Sequence, residues 1–231
     1  MTIGHTGLSV QPTIISAAIK AGVKRFIPSE FGGDTTNPKS RAIPYFKDKV
    51  QGQELLTQEV AKNGGKGLSY SLVITGPFLD WGLKVGFGLN LNGKSVTIVD
   101  DGKKAASHTT VEAIGKAVAG VLQHPDETKN RAVYVQSVSV SQEKLLALSK
   151  QVKGADGWDI KTISAEESVA KGWAELKKPE PNHLVAFTSF IEAAIWSDGY
   201  GSRFEKLDNG LLGVPQLDDE ELLQLIKSLA E

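Results

Sequence analysis

Tyr45 and Lys49 stand four residues apart in the segment PYFKDKVQGQELL, the spacing that puts two side chains on one helix face. A phenol beside an ammonium is a proton-transfer pair suited to carbonyl reduction. The charge lowers the phenol pKa, and the amine can also hold a cofactor ribose. Ser29 follows the stretch Val23-Lys24-Arg25-Phe26-Ile27-Pro28 and supplies the hydroxyl that such chemistry uses. The spacing has a second reading, because a lysine-rich helix also produces it on a solvated face with Lys47 and Lys49 outward. Position favours the first, since open α/β sheets place their ligands beyond the carboxyl ends of strands, where Ser29 falls.

Two loops share that placement. Pro28-Ser29-Glu30-Phe31-Gly32-Gly33 combines a hydroxyl, a carboxylate, an aromatic ring and two glycines. Its glycines would let a ligand approach the backbone and Phe31 could stack on a flat ring; equally, it is a surface turn whose Phe31 folds back on the core. Thr75-Gly76-Pro77-Phe78 ends the next strand and carries the same pair of readings. Both loops on one sheet edge predict a cleft between them.

The elements that must position these groups follow from periodicity and breakers. Pro12 suits a first helical turn, Ile14, Ile15, Ala18 and Ile19 form an apolar stripe, and Gly22 ends the helix in a left-handed conformation. Val23 to Ile27 is a strand stopped by Pro28, a loop runs from Ser29 to Ile43, a helix spans Tyr45 to Lys62, and Leu68 to Thr75 is the next strand. That rhythm predicts a parallel α/β sheet. Further on, Ser95 to Val99 and Trp158 to Ile163 read as strands, and Arg131 to Val140 as one strand. Helices are expected at Val111 to Leu122, Gln142 to Val152 behind a Ser141 cap, Ala165 to Lys177, His183 to Trp196 and Asp218 to Ala230. The expected organisation is a partial nucleotide-binding domain over 1–80 and a smaller α+β substrate region over 81–231. Segments around 95–135 are expected to return to the first sheet.

Composition excludes several classes. The 231 residues carry 26 Lys+Arg against 27 Asp+Glu, a net charge of −1, which gives no general attraction to nucleic acid or anionic membrane. No apolar run approaches the ~20 residues of a membrane span, and the start MTIGHTGLSV lacks a secretory pattern, so a cytoplasmic protein is expected. Zero Cys removes disulfides, thiolate metal sites and a Cys nucleophile together. His5, His108, His124 and His183 are scattered, so no metal is expected. No GxSxG elbow and no phosphate-loop lysine motif occurs, and Gly86-Phe87-Gly88 sits far from any first strand and reads as a loop. The tryptophans 81, 158, 173 and 196 read as core or cleft-wall aromatics.

The run GVKRFIPSEFG, continued by YFKDKVQGQELL and SLVITGPFLDWGL, resembles the signature of the NmrA-like, isoflavone reductase-like family of atypical short-chain dehydrogenases. TTVEAIGKAVAGVLQHPDETKNRAVYV and EAAIWSDGYGS are similar to its fungal branch, so the resemblance covers essentially the whole chain. It implies a Rossmann domain with a small C-terminal domain, NADP(H) as cofactor, and reduction of small aromatic or enone-like substrates. It implies equally a regulator that binds the dinucleotide without turning it over. Carried over by position, Lys49 matches the catalytic lysine that orients the nicotinamide ribose. Pro28, Ser29, Glu30 and Phe31 match the loop beside the nicotinamide, and Gly76, Pro77 and Phe78 the loop that closes over it. Tyr45 falls where the family requires no tyrosine.

The family's glycine-rich turn and its next strands would precede Thr2, so the resemblance implies an N-terminally truncated sheet, weakened cofactor binding and weak or absent turnover. Only Thr2-Ile3-Gly4 could be the stub of a preceding strand. Ala113 stands where the family often has Asp, which predicts a looser local cap. Hydride would reach a substrate held between Phe31, Phe78, Trp81 and the C-terminal region.

Overall fold

The computed structural model describes residues 1–3, 5–65 and 67–230, and for residues 5 and 6 the backbone. In chain order it comprises α1 (Gln11–Lys20), β1 (Arg25–Phe26), α2 (Pro38–Arg41), α3 (Lys47–Lys62), β2 (Ser69–Ile74), α4 (Leu79–Val85), β3 (Leu89–Asn90), β4 (Ser95–Val99) and β5 (Ala105–His108). The second half continues with α5 (Val111–Gln123), β6 (Arg131–Tyr134), β7 (Val138–Ser141), α6 (Gln142–Lys153), β8 (Asp159–Ile163), α7 (Ala165–Leu176), α8 (His183–Trp196), α9 (Asn209–Leu212) and α10 (Asp219–Leu229).

The first sheet, ordered β1-β2-β6, is parallel throughout. Parallel strands need helical crossovers and bury both faces, and β2 (SYSLVI) is accordingly buried along nearly its whole length, its serines included. Val73 faces Ala113, Ala117 and Val121 of α5, while Leu72 and Ile74 meet Phe204 on the other side. At the β1 end, Ile15 of α1 and Leu56 of α3 close over Phe26 and Leu68. Pro28 stops β1 after two paired residues by removing the next ladder donor. Beyond β1, the Met1 nitrogen donates to the Ile27 carbonyl at 2.7 Å. Ile3 exchanges hydrogen bonds with the Ser29 hydroxyl, so residues 1–3 run beside that strand, and Gly4 lies outside the described residues.

A second core gathers α4, β3, β4, α6, the end of α8 and α10. There β4 pairs with β3 antiparallel and with β8 parallel, and β5 pairs with β7 antiparallel. β6 pairs with β2 and α5 packs on Val73, whereas Ser95–Val99 finds its partner in β8. The single strand expected over Arg131 to Val140 is two, β6 and β7. Asn209 brackets the intervening peptide, accepting from Gln136 N at 3.1 Å and donating to its carbonyl at 2.7 Å, and the chain there leaves one sheet for another. Local capping follows the sequence: Gly22 has φ 70°, Ser141 caps α6, and Ser164 and Asp218 form capping boxes on α7 and α10. Ala113 does not loosen α5, since it lies in the core while Thr110 accepts from its N–H and Asp80 accepts from Val111 N.

Candidate functional site

The carboxyl ends of β1 and β2 are tied together by backbone. Phe31 N donates to Val73 O at 3.0 Å, and the Gly32 carbonyl accepts from Thr75 N at 3.2 Å and Gly76 N at 2.9 Å. To reach that position Phe31 adopts φ 39°, a left-handed conformation unfavourable for an aromatic residue. Its ring packs on the core cluster of Val73 and Ala113, so of the two readings of this loop the structure shows Phe31 folded back. Gly76, at φ 64°, is required: a Cβ there would lie 1.9 Å from the Ser107 carbonyl oxygen. Thr109 then fastens this junction, donating through its hydroxyl to the Thr75 and Val135 carbonyls and through its N–H to Pro77 O.

Lys49 reaches this junction from the first turns of α3. Its amine donates to the Glu30 carbonyl and lies 5.6 Å from the Phe46 ring centre. A Cβ on Gly32 would sit 3.4 Å from the same nitrogen, so the glycine leaves space beside the cation. Burial pulls the Lys49 pKa below the usual lysine range, and the Glu30 charge pulls against it. The amine therefore stands at the loop that follows β1, on a half-buried side chain. The Glu30 carboxylate is buried and turned the other way, accepting from Thr35 Oγ1 at 2.6 Å and Gln53 Nε2 at 3.0 Å. It holds the loop to α3 from behind.

Two expected hydroxyls are engaged elsewhere. Ser29 Oγ donates to Ile3 O at 3.0 Å, and Ser29 N donates to Gln11 Oε1 at 2.7 Å. Tyr45 is parted from Lys49, because α3 begins at Lys47 and Tyr45 belongs to a 3₁₀ turn, Pro44–Phe46. That turn swings its ring against Phe187 and Phe190 of α8, and its hydroxyl donates to His183 O at 2.8 Å. Gln11 and Gly52 went unnoticed in the sequence: a Cβ on Gly52 would lie 2.7 Å from Gln11 Nε2, so the glycine lets α1 bring Gln11 to the Ser29 loop. Their signal, an isolated glycine inside a helical pattern, was present.

Pro77 and Phe78 also border a small pocket of about 30 Å³ under α4 and against α8. Its walls include Phe87, His108, Glu192 and Trp196. Phe31 and Trp81, expected at the cleft, do not line it; Trp81 is 52% exposed on α4. His108 is buried, stacks on Trp196 with ring centres 5.1 Å apart, and places Nδ1 2.9 Å from Ala106 O. Burial pushes its pKa down to about 4, against the opposing pull of the Ala106 carbonyl. Glu192 is partly buried in the pocket wall, which raises its pKa, with Lys171 pulling it back. In the sequence His108 reads only as one of four scattered histidines, because a lone histidine carries no spacing signal and no strand is expected over 105–108.

Against this geometry, a family profile described as the NmrA-like family matches residues 1–171. The chain belongs to the NmrA-like family. Oxidoreductase aprR of Aspergillus flavus is 31% identical to this NmrA-like chain over 229 residues, covering 97% of it and 75% of the relative. The phenylcoumaran benzylic ether reductase Pyrc5 of Pyrus communis is 31% identical over 141 residues, 58% of this chain and 43% of its own. Among solved structures, the binary complex of leucoanthocyanidin reductase with NADPH from Vitis vinifera superposes with a TM-score of 0.69 at 17% identity, covering 99% of this chain and 73% of that one. The NmrA-like chain thus has a Rossmann-like α/β fold. None of its helices among the described residues is long and apolar enough to cross a membrane.

Proposed function

We propose that this NmrA-like chain is an NADP-dependent oxidoreductase of the isoflavone reductase type, acting on a small aromatic or enone-like substrate. The observation that carries the reading is the Lys49 amine, bonded to the loop that follows β1 on a half-buried side chain. The names of its relatives, an oxidoreductase and an aromatic ether reductase, point the same way, as does the NADPH complex that shares the fold.

The residues present suit the nicotinamide end of such a cofactor. Gly32 leaves backbone open beside the amine, and Pro77 and Phe78 border the neighbouring pocket. NADPH, when bound, supplies the hydride. Lys49 would hold the neighbouring ribose hydroxyls, and burial lowers its pKa from the ordinary lysine range. Pro28, Ser29, Glu30 and Phe31 would act through the loop's backbone, because their side chains are otherwise committed. Phe78, Phe87 and Trp196 would exclude water from the reacting carbon.

The test pairs calorimetric titration of NADPH into the 231-residue chain with NADPH oxidation across aryl ketones and enones. Saturable binding that Lys49→Met weakens, with turnover that the variant loses, supports the reading; binding indifferent to the amine, with no substrate consumed, sinks it. One observation favours a second reading, a dinucleotide-binding regulator. Ser29 and Tyr45 are both bonded elsewhere, which leaves Lys49 without a hydroxyl relay. A regulator keeps cofactor binding and shows no turnover with any member of the panel.

A further inference from the structure

The second sheet, ordered β3-β4-β8, ends on β8, which pairs with β4 alone among the described residues. At its two ends, Asp159 N donates to Lys94 O and Ile163 O accepts from Asp100 N, at 2.9 Å each. Peptide direction alternates along a strand. Residues 159, 161 and 163 therefore spend their backbone groups on β4, and those of Ile160 and Thr162 point away from the sheet. Asp159, Ile160, Lys161 and Thr162 are all exposed, Ile160 by 43%. The strand, DIKTI, has no proline, and its register with β4 runs unbroken, so no bulge twists the edge away. An open ladder carrying a bare isoleucine is a template for another strand.

The side chains say which strand fits. Asp159 and Lys161 share one face, where they form an ion pair at 3.1 Å. Two β8 strands running antiparallel can match their outward backbone groups about Ile160, Lys161 or Thr162. A centre at Lys161 sets two ammonium groups directly opposite one another, and a centre at Thr162 sets Lys161 opposite Ile163. A centre at Ile160 sets Asp159 of each copy opposite Lys161 of the other, and Ile160 opposite Ile160. Cross-strand pairs of opposite charge and of β-branched residues stabilise a ladder, and like charges facing each other destabilise it.

We propose that β8 is a self-association edge, at which two copies of this chain pair antiparallel about Ile160 across a twofold axis. The sequence is self-complementary there, as a twofold interface requires. A five-residue strand pair buries less than the ~800 Å² per partner of a standard interface, so the dimer dissociates on dilution. The inference is independent of the reductase reading.

The test is sedimentation velocity of the 231-residue chain at low ionic strength, across a wide range of concentration. The dimer fraction should rise with concentration. Asp159→Lys and Lys161→Asp each bring like charges face to face, and each alone should weaken self-association about tenfold or more. Mixed in equal amounts, the two variants should associate at least as well as the unmodified chain, because every facing pair is again of opposite sign. Amide hydrogen exchange reads the same edge without a substitution. Ile160 and Thr162 should be protected only at high concentration, whereas Lys161 and Ile163, bonded to β4, should be protected throughout. A chain that stays monomeric at every concentration overturns the proposal and leaves the edge to a different partner. A dimer that both single variants retain, or variants that associate neither alone nor mixed, overturns it as well. Should either variant fail to fold, the exchange measurement still decides: Ile160 exchanging equally fast in monomer and dimer sinks the assignment.

Discussion

The junction of the β1 and β2 tips and the pocket under Phe78 meet at Pro77, and they are built on opposite plans. At the junction most polar atoms have a partner within the chain, the buried Gln11 Nε2 excepted: Gly32 O accepts twice, Glu30 is held by Thr35 and Gln53, and Ser29 by Ile3 and Gln11. The pocket is mostly apolar and has room for about 30 Å³, a water and not a ring-bearing ligand. A site for a constant group gains from a rigid, self-satisfied backbone that needs no reorganisation when the group arrives.

The largest expected effect tests whether the junction is chemical or only structural. Lys49→Met should lower NADPH-dependent kcat/KM by about a hundredfold or more, while thermal unfolding moves little, since the variant removes a desolvated ammonium and keeps the apolar stem. Comparable losses of activity and of folded protein would make Lys49 a scaffold residue. Gly76→Ala should cost about 3 kcal/mol or more in urea unfolding, because both its φ and the Ser107 carbonyl oppose a Cβ. A normal midpoint would mean that the strand tips can move apart.

On the pocket side the lever is His108. Its folded pKa of about 4 lies below its ordinary 6.5, so as pH falls through that window the unfolded chain gains a proton that the folded chain does not. Stability from this group is complete above about pH 6.5, falls on acidification, and stops falling below about pH 4. Between pH 7 and 5 the loss is about 2 kcal/mol. His108→Gln should flatten the pH dependence of the urea midpoint by that amount, and an unchanged slope would show that the imidazole is protonated in place. The smallest effect separates Tyr45 from Lys49. Tyr45→Phe loses one hydrogen bond to His183 and should cost about 1 kcal/mol of stability with kcat retained. A large fall in kcat would restore the phenol to the chemistry.

How far the sequence could be read differs between these two places. The β1 and β2 tips were legible, because a short apolar strand ended by proline or glycine and followed by a helix is local information. Lys49 could be placed beside the β1 tip from its position in the entering helix. Tyr45 was misplaced by one detail, a 3₁₀ turn that delays the start of α3 by two residues and sends the ring to α8. The break at Gln136 was equally hidden, since it depends on Asn209, which lies 73 residues along the chain.

By itself, then, the sequence determined the parallel order of helix and strand, the left-handed Gly22, the caps of α6, α7 and α10, and the loops that border the site. These rest on interactions within a few residues, where periodicity, capping and φ preference act. Only the tertiary structure decided that Ser29 is spent on Ile3, that Tyr45 leaves Lys49, and that His108 and Trp196 share a pocket with Phe78. Those outcomes depend on which distant segments come to lie within a few ångströms of one another. That proximity is settled by the simultaneous packing of whole helices and sheets, and no short stretch of chain records it.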